Sequence, residues 1–359
     1  MGMRMMDMKT SIRMLMALAL VVIALPSSAV DFATRCQDSA VVRCVGFDQQ
    51  SDINGGYGDV QGITPGETTP NLDTSVMASG GGSLRLTIPS NSGANTSGTF
   101  FTNFSDDLSV QFGGNQQFFI QWRQRFTAEF INTYYNGGGG WKQIIIGTGD
   151  KPGCTASTSA NGQCYSSCTA LETVVQNVYH RGFPQMYNSC TGSSSHGAYD
   201  AFSESFNSYD FKLQNARGAP YCLYSQGNTN PSSYFPSQGN CFGYFPGEWM
   251  TFQVGITTGP RQGDEFVNSN IKLWMAREGQ PSELVMDYGP YNLTAGSQSA
   301  NQQFGKVWLL SYNTDKNPSQ SHATAYTWYD ELIISRARIA DPDGSPIIRP
   351  MPPTDLQSN

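Results

Sequence analysis

The sequence predicts an all-β protein: a two-sheet antiparallel jelly-roll sandwich with a disulfide-rich loop insertion. Runs of about five to nine residues alternate apolar and polar side chains and are bounded by Gly, Pro, Asn and Ser. No segment longer than about ten residues keeps a helical period with end signals. Charged residues make up only 14% of the chain, against about 25% in typical domains, which favours strands joined by polar loops.

The alternating runs give eight expected strands. Their apolar positions recur at every second residue, so each strand should bury one face. They are Ser83–Ile88, Gln117–Phe126, Lys142–Ile146, Glu172–His180, Trp249–Ile256, Ile271–Arg277, Val307–Tyr312 and Tyr326–Ser335.

Residues 1–29 have the features of a bacterial signal peptide. Three basic residues precede the apolar run Met14–Leu25, and small residues follow Pro26 up to Ala29. The run of about twelve residues is too short to cross roughly 30 Å of hydrocarbon as a helix, although an uncleaved anchor is the alternative. No later stretch is long and apolar enough to span a membrane. We therefore expect a secreted or periplasmic protein.

Eight cysteines in an exported chain predict four disulfides. Short loops favour the pairs Cys36–Cys44 and Cys222–Cys241, which leaves the four cysteines between 154 and 190 to pair among themselves. Zinc is the alternative, but Cys164 and Cys168 are the only close pair and no histidine stands at finger spacing.

The expected domain spans residues 30–340. Within it, residues 147–245 hold six cysteines, many small polar residues and one clear strand. This segment predicts an insertion that lies over one sheet and is ordered by disulfides, because it has no core of its own. Residues 341–359 are Pro-rich and predict an extended C-terminal tail.

The net charge of −7 argues against a nucleic-acid-binding surface. An acidic ligand would have to meet a local basic patch. The oligomeric state is left open.

Several strands carry motifs of a known superfamily. They are Gly46–Asp48, Gly247–Val254, Ile271–Met275, Val307–Tyr312 and Trp328–Ser335, the last reading Trp-Tyr-Asp-Glu before an apolar run. Over about 200 residues this pattern resembles the concanavalin A-like lectin/glucanase superfamily, and it is nearest to the polysaccharide-lyase branch. The resemblance implies a jelly roll and a polysaccharide ligand, and fold by itself assigns no activity.

The strand Gln117–Phe126 places Gln121, Arg123 and Arg125 on one face. Amide and guanidinium groups in a row suit sugar hydroxyls and the oxyanions of carboxylates or sulfates. We expect this face to bind an acidic glycan. The alternative is a solvated outer face.

A second strand, Glu172–Arg181, puts Gln176 and His180 on one face and Asn177, Tyr179 and Arg181 on the other. The resemblance to lyases implies β-elimination on a uronate. Arg123 and Arg125 would grip the substrate, and the amide of Gln176 or Asn177 would neutralise the carboxylate. His180 would remove the C5 proton, and Tyr312 would protonate the leaving oxygen. The alternatives are a structural role for His180 and core packing for Tyr312.

Two further sets complete the expected site. Trp249 and Trp274 could stack on pyranose rings, although both could equally be core, and Tyr179 and Tyr187 could reach the groove from the insertion. The resemblance implies a structural Ca²⁺ at Asp48 and Asp330, which have the hard oxygen ligands that calcium takes; the alternative is that Asp330 hydrogen-bonds a loop.

Glycosidase chemistry needs two carboxylates across the scissile bond. Asp264 and Glu265 are adjacent, as are Asp330 and Glu331, so each pair points to opposite faces of its strand. The sequence therefore favours a secreted polysaccharide lyase acting on an acidic glycan. The rivals are a non-catalytic carbohydrate-binding module and a structural or adhesive surface protein.

Overall fold

Two antiparallel sheets pack face to face in this protein. The computed structural model describes residues 31–56, 59–137, 140–149, 159–160, 163–164, 171–178, 184–188, 242–294 and 302–342. The all-β, two-sheet sandwich expected from the sequence is confirmed. Among the described residues, no helix is long and apolar enough to cross a bilayer.

The first sheet has nine strands, which lie in the order β13-β14-β12-β6-β18-β4-β3, with β1 also pairing with β18 and β15 with β14. Its strands are β1 (Val41–Val45), β3 (Asn71–Asp73), β4 (Ser83–Ile88), β6 (Gln117–Phe126), β12 (Met250–Thr257), β13 (Arg261–Gln262), β14 (Glu265–Ala276), β15 (Glu283–Thr294) and β18 (Ala325–Ser335).

The second sheet has seven strands in the order β11-β10-β7-β16-β5-β2, with β17 on β7. They are β2 (Gln61–Thr64), β5 (Thr99–Asn103), β7 (Gly140–Thr148), β10 (Glu172–Val178), β11 (Gln185–Asn188), β16 (Phe304–Leu310) and β17 (Asn313–Thr314). A separate pair joins β8 (Ser159–Ala160) to β9 (Gln163–Cys164), and the helices are short: α1 (Phe32–Cys36), α2 (Ala128–Asn132) and a 3₁₀ turn at Gln50–Asp52.

The segment expected as an insertion contributes to the second sheet. Its strands β10 and β11 form one edge of that sheet, with β10 paired to β7 along its whole length. At its other end Tyr244 is fully buried and contacts the ring of Phe126. Strands β10 and β11 and the side chain of Tyr244 therefore belong to the sandwich itself, whereas β8 and β9 pair only with each other.

The core between the sheets is aromatic. Trp122 and Phe252 stack at 5.3 Å between ring centroids, and Phe126 lies 5.5 Å from Trp141 on the facing sheet. A buried polar bridge crosses this core, since the Gln143 amide donates to Gln124 Oε1 at 2.8 Å. These contacts fix which residues of β6 and β7 point inward.

The N-terminal helix α1 is fastened to the outer face of the nine-stranded sheet. The predicted disulfide Cys36–Cys44 is confirmed, whereas Cys222–Cys241 lies outside the described residues. Arg35 forms a buried ion pair with Glu331 and donates to Gln121 Oε1 at 2.5 Å. This end of the outer face is thus closed to solvent.

Candidate functional site

The two strands expected to form one groove lie in different sheets. Arg123 is on β6 of the nine-stranded sheet, and Gln176 is on β10 of the seven-stranded sheet. Because Trp122 and Gln124 point into the core, Arg123 points away from it, and so does Gln176 on the far side. The expectation that Arg123 and Arg125 converge with Gln176 and Tyr312 is therefore wrong: alternation along a strand does not specify which sheet the strand joins.

The amide of Gln121 is already used inside the protein. It accepts from Arg35 and its Nε2 donates to the carbonyl of Ala340 at 3.1 Å. Arg123 is buried and its Nη2 donates to the carbonyl of Trp249 at 3.2 Å. Of the three β6 side chains proposed for binding, only Arg125 stays partly open to solvent.

Trp274 lies on β14 of the nine-stranded sheet, and Trp249 directly precedes its strand β12. Trp274 packs against Phe119, and the Arg338 guanidinium lies 4.8 Å from its ring centroid. That ring is covered by the protein's own chain. Trp249 is buried beside Arg125 and belongs to neither hydrophobic core cluster.

A different cluster occupies the outer face of the seven-stranded sheet. Trp141 and Gln143 of β7 point into the core, so Lys142 between them points outward. Its Nζ lies 5.5 Å from the ring centroid of Tyr312 and 5.7 Å from that of Tyr187. Lys142 is thus held between two tyrosines.

Strand register adds Gln176 to this cluster. A bulge between Val175 and Gln176 sets Gln176 opposite Lys142, so both side chains lie on the outer face. The backbone of Lys142 donates to the carbonyl of Tyr312 at 2.9 Å, which fixes the chain beyond β16 against β7. Lys142, Gln176 and Tyr312 are each half-buried.

The buried carboxylate of Glu172 lies next to this cluster. The hydroxyl of the buried Tyr187 donates to Glu172 Oε1 at 3.3 Å. Burial lowers the pKa of the Lys142 ammonium, and the negative charge of Glu172 raises it in part. A lysine that titrates below its usual range can hold an unprotonated amine, which is what a general base requires.

The neighbouring part of the same face is closed. Lys306 is fully buried, with its Nζ 4.6 Å from the Phe101 ring centroid and 5.0 Å from that of Trp308. Ile145 and Val174 are also fully buried. The half-buried end of this face is therefore the candidate active site, defined by Lys142, Gln176, Tyr187, Tyr312 and Glu172.

Comparisons with known proteins show what the fold resembles. No protein-family model and no curated protein match the sequence. Among solved structures, a PL-14 alginate lyase from Aplysia kurodai is similar with a TM-score of 0.46 and 10% identity, over 82% of this chain and 98% of that one. An endo-β-1,4-glucuronan lyase from Trichoderma reesei has a TM-score of 0.42 and 12% identity, over 81% and 98%.

A third similar structure is an alginate lyase with a TM-score of 0.38 and 15% identity, over 87% of this chain and 93% of that one. A variant of it was solved with alginate trisaccharide. All three are named as alginate or glucuronan lyases. At this level of similarity any activity has to be argued from this chain's own side chains.

Other predicted residues fall elsewhere. Asn177 follows Gln176 and points inward beside Trp141, where it is buried; it does not share the face of Lys142. Tyr179, His180 and Arg181 lie outside the described residues, so the role expected for His180 stays a prediction.

Asp48 and Asp330 both hold one loop. Asp330 Oδ2 accepts from the backbone N–H of Ala78 at 2.8 Å and of Ser79 at 3.3 Å, while Asp48 Oδ1 accepts from Gly81 at 2.6 Å. A cation needs acceptor oxygens, and these carboxylates face N–H donors instead. Across the described residues, no three acidic, His or Cys side chains group to hold a metal. The pair as placed does not fit calcium, and calcium elsewhere stays a prediction.

Lys142 and Glu172 were not predicted as site residues. Lys142 and Gln143 stand between Trp141 and three isoleucines, and Glu172 is separated from two valines by Thr173. A single charged residue near the start of a largely apolar strand is a usable signal, since charged residues are rarely buried unless they are paired or functional. The signal is weak because the sequence does not show that β7 and β10, which carry these two residues, pair with each other.

Proposed function

We propose that this protein is an exported polysaccharide lyase that cleaves a uronate-containing glycan by β-elimination at the outer face of the seven-stranded sheet. The observation that carries the proposal is the placement of Lys142 between the rings of Tyr187 and Tyr312, opposite Gln176. Such elimination needs a base, an acid and a group that stabilises the uronate carboxylate.

The carboxylate would be held by Gln176. Its amide N–H donates to one carboxylate oxygen, which stabilises the charge that builds up when the C5 proton leaves. Tyr187 is buried, is fixed by its hydrogen bond to Glu172 and lies beside the Lys142 ammonium, so it forms the inner wall that orients the lysine.

Proton transfer follows from the remaining two groups. The neutral amine of Lys142 takes the C5 proton, the C4–C5 double bond forms, and the bond between C4 and the glycosidic oxygen breaks. The hydroxyl of Tyr312 gives its proton to that leaving oxygen. Solvent then returns a proton from the Lys142 ammonium to the Tyr312 phenolate, which restores both groups.

The test is turnover of uronate polymers, followed by the ultraviolet absorbance of the unsaturated product on alginate, glucuronan, pectin and heparin-like chains. Lys142→Met and Tyr312→Phe should each lower kcat by about 10²–10⁴. The matched controls are Lys272→Met, whose ammonium is in an exposed ion pair with Asp287, and Tyr288→Phe on β15. Both controls should keep the activity of the native chain.

His180→Asn completes the panel because His180 is the rival base. Loss of activity in His180→Asn with full activity in Lys142→Met would move the base to His180. Absence of unsaturated product from every uronate polymer, with retention of the same polymers in affinity electrophoresis, would replace the lyase by a carbohydrate-binding module.

A further inference from the structure

A row of alternating arginine and tryptophan side chains crosses the outer face of the nine-stranded sheet, on the opposite side of the sandwich from Lys142. Register pairs Asn71 with Arg85, Arg85 with Trp328, and Trp328 with Arg125. Trp249 comes next, because Met250 beside it is opposite Gln124, the neighbour of Arg125. The row therefore runs across β3, β4, β18 and β6 to the start of β12.

All of these side chains point away from the core. Leu72, Leu84 and Leu86 alternate with the row, and Leu84 and Leu86 are fully buried in the core cluster. Neither Trp328 nor Trp249 belongs to a hydrophobic core cluster. The row is thus part of the outer surface, with the indoles sunk between more open guanidinium groups.

Arg125 is the arginine of the row whose guanidinium is not paired. It is half-buried, and its guanidinium makes no ion pair or hydrogen bond within the described ranges. The next residue of β6 on the same face, Arg123, is buried and its Nε also has no partner there. A guanidinium left unpaired at a surface is available to an oxyanion.

Arg85, the other arginine of the row, is oriented by its neighbours. Arg85 lies 5.8 Å from the ring centroid of Tyr326 and pairs with Asp73 at 3.2 Å, with about one third of its side chain exposed. Asp73 also accepts from the Trp328 indole at 3.0 Å, and Tyr326 stacks on Trp328. The Asp73 charge offsets one arginine, so the row keeps one net positive charge from Arg85 and Arg125.

We propose that this row is a second, non-catalytic binding site for an acidic polysaccharide. Arg85 and Arg125 flank β18, so their Cα atoms are about 9.6 Å apart at two strand spacings, a length comparable with a disaccharide. Planar guanidinium forks match carboxylate or sulfate oxygens. The indoles are buried, but Tyr326, which stacks on Trp328, is half-buried and offers an apolar ring face to a pyranose. The ligand class follows from these residues alone, independently of the lyase reaction.

The site would hold a polymer while another stretch of it, or another chain, reaches Lys142. Its function would then be retention, and the effect of losing it should be large for long chains and small for short oligomers, because only a long chain can engage both faces at once.

The test measures polymer binding in the Lys142→Met background, which separates binding from turnover. Affinity electrophoresis in gels with alginate, glucuronan or heparin gives the dissociation constants, and a neutral glucan gel is the reference. Arg85→Gln/Arg125→Gln should weaken binding by about tenfold or more, because both charge-assisted guanidinium contacts with the polymer's oxyanions are lost. Arg125→Lys should lose part of the affinity, because the ammonium keeps charge without the fork.

The matched control is Arg336→Gln, an exposed arginine outside the row, and circular dichroism checks that each variant folds. Unchanged polymer affinity in the double arginine variant would overturn the second site, as would no binding of any acidic polymer by the Lys142→Met parent. If polymer binding depends on the two arginines but the native chain never forms unsaturated product, the lyase reaction is rejected and the second site is kept. If the native chain forms unsaturated product but binding does not depend on the arginines, the lyase reaction is kept and the second site is rejected.

Discussion

Arg35 and Glu331, 296 positions apart in sequence, form a buried ion pair that joins the N-terminal helix to the last strand. Their side chains are only 1% and 3% exposed. Glu331 sits at a bulge of β18 with φ of 51°, which turns its carboxylate outward to meet the helix. The pair closes one end of the nine-stranded sheet.

Removing one partner should therefore cost more than removing both. Arg35→Ala leaves the Glu331 carboxylate buried without its cation, and we expect a loss of about 3–5 kcal/mol in the free energy of unfolding. Arg35→Met/Glu331→Met should cost less than Arg35→Ala, because no lone charge is left inside. Urea unfolding measures both.

An exposed ion pair serves as the control. Lys272 pairs with Asp287, and their side chains are 37% and 42% exposed, so Lys272→Ala should cost about 1 kcal/mol or less. Equal losses in Arg35→Ala and Lys272→Ala would contradict the importance given to burial.

The amide bridge between the sheets gives a second prediction. Gln124 accepts from Gln143 and from the indole of Trp122, and it donates to Thr327 at 2.9 Å. Gln124→Met leaves these buried partners without their hydrogen bonds, and each unsatisfied group costs about 1–3 kcal/mol of the free energy of unfolding. Gln124→Met/Gln143→Met should then cost less than the sum of the two single variants.

Double-mutant analysis by urea unfolding measures that coupling. Gln117→Met, at an exposed position of the same strand, should change stability by less than about 0.5 kcal/mol. Strict additivity of the Gln124 and Gln143 variants would show that the bridge does not link the sheets energetically.

Asp330 should make the stability depend on pH. Burial raises its pKa from 3.8 to about 8, although three backbone N–H groups oppose the shift by favouring the anion. A carboxyl whose pKa is higher in the folded than in the unfolded state binds its proton more tightly when folded. The contribution of Asp330 to the free energy of unfolding is full below about pH 4 and is lost as the pH rises through about 8. The loss is up to about 1.4 kcal/mol per pH unit.

The comparison is between the native chain and Asp330→Asn, which removes the titration. The difference in their free energies of unfolding should shift in favour of Asp330→Asn as the pH rises. A constant difference between about pH 4 and pH 8 would contradict the raised pKa. Asp287→Asn is the control, since the pKa of Asp287 is lowered in the fold and its loss should not reproduce the effect.

Much of the fold was predictable because alternation is a local property. The expected strands Ser83–Ile88 and Gln117–Phe126 match β4 and β6 at both ends. β15, from Glu283 to Thr294, was missed because Gly289 and Pro290 interrupt its pattern. Strands as short as β3 carry too few residues to show a period.

The site was less predictable because it depends on pairing between distant strands. Alternation placed Arg123 and Arg125 on the same face of β6, and it placed Gln176 on one face of β10. Which sheet each strand joins is decided by long-range contacts, which alternation does not show. The bulge at Gln176 is equally invisible in sequence, and it decides that this amide stands opposite Lys142.

The pH dependence of turnover should identify the base. If the neutral amine of Lys142 accepts the C5 proton, kcat should rise with pH through the lowered pKa of this group, with an inflection below the usual lysine value of about 10.4. Lys142→Arg should remove both the inflection and most of the activity, because a guanidinium stays protonated, whereas Lys272→Arg should leave the profile unchanged. An inflection near the usual histidine value of about 6.5, lost in His180→Asn and kept in Lys142→Arg, would assign the base to His180, since each base imposes its own pKa on the rate.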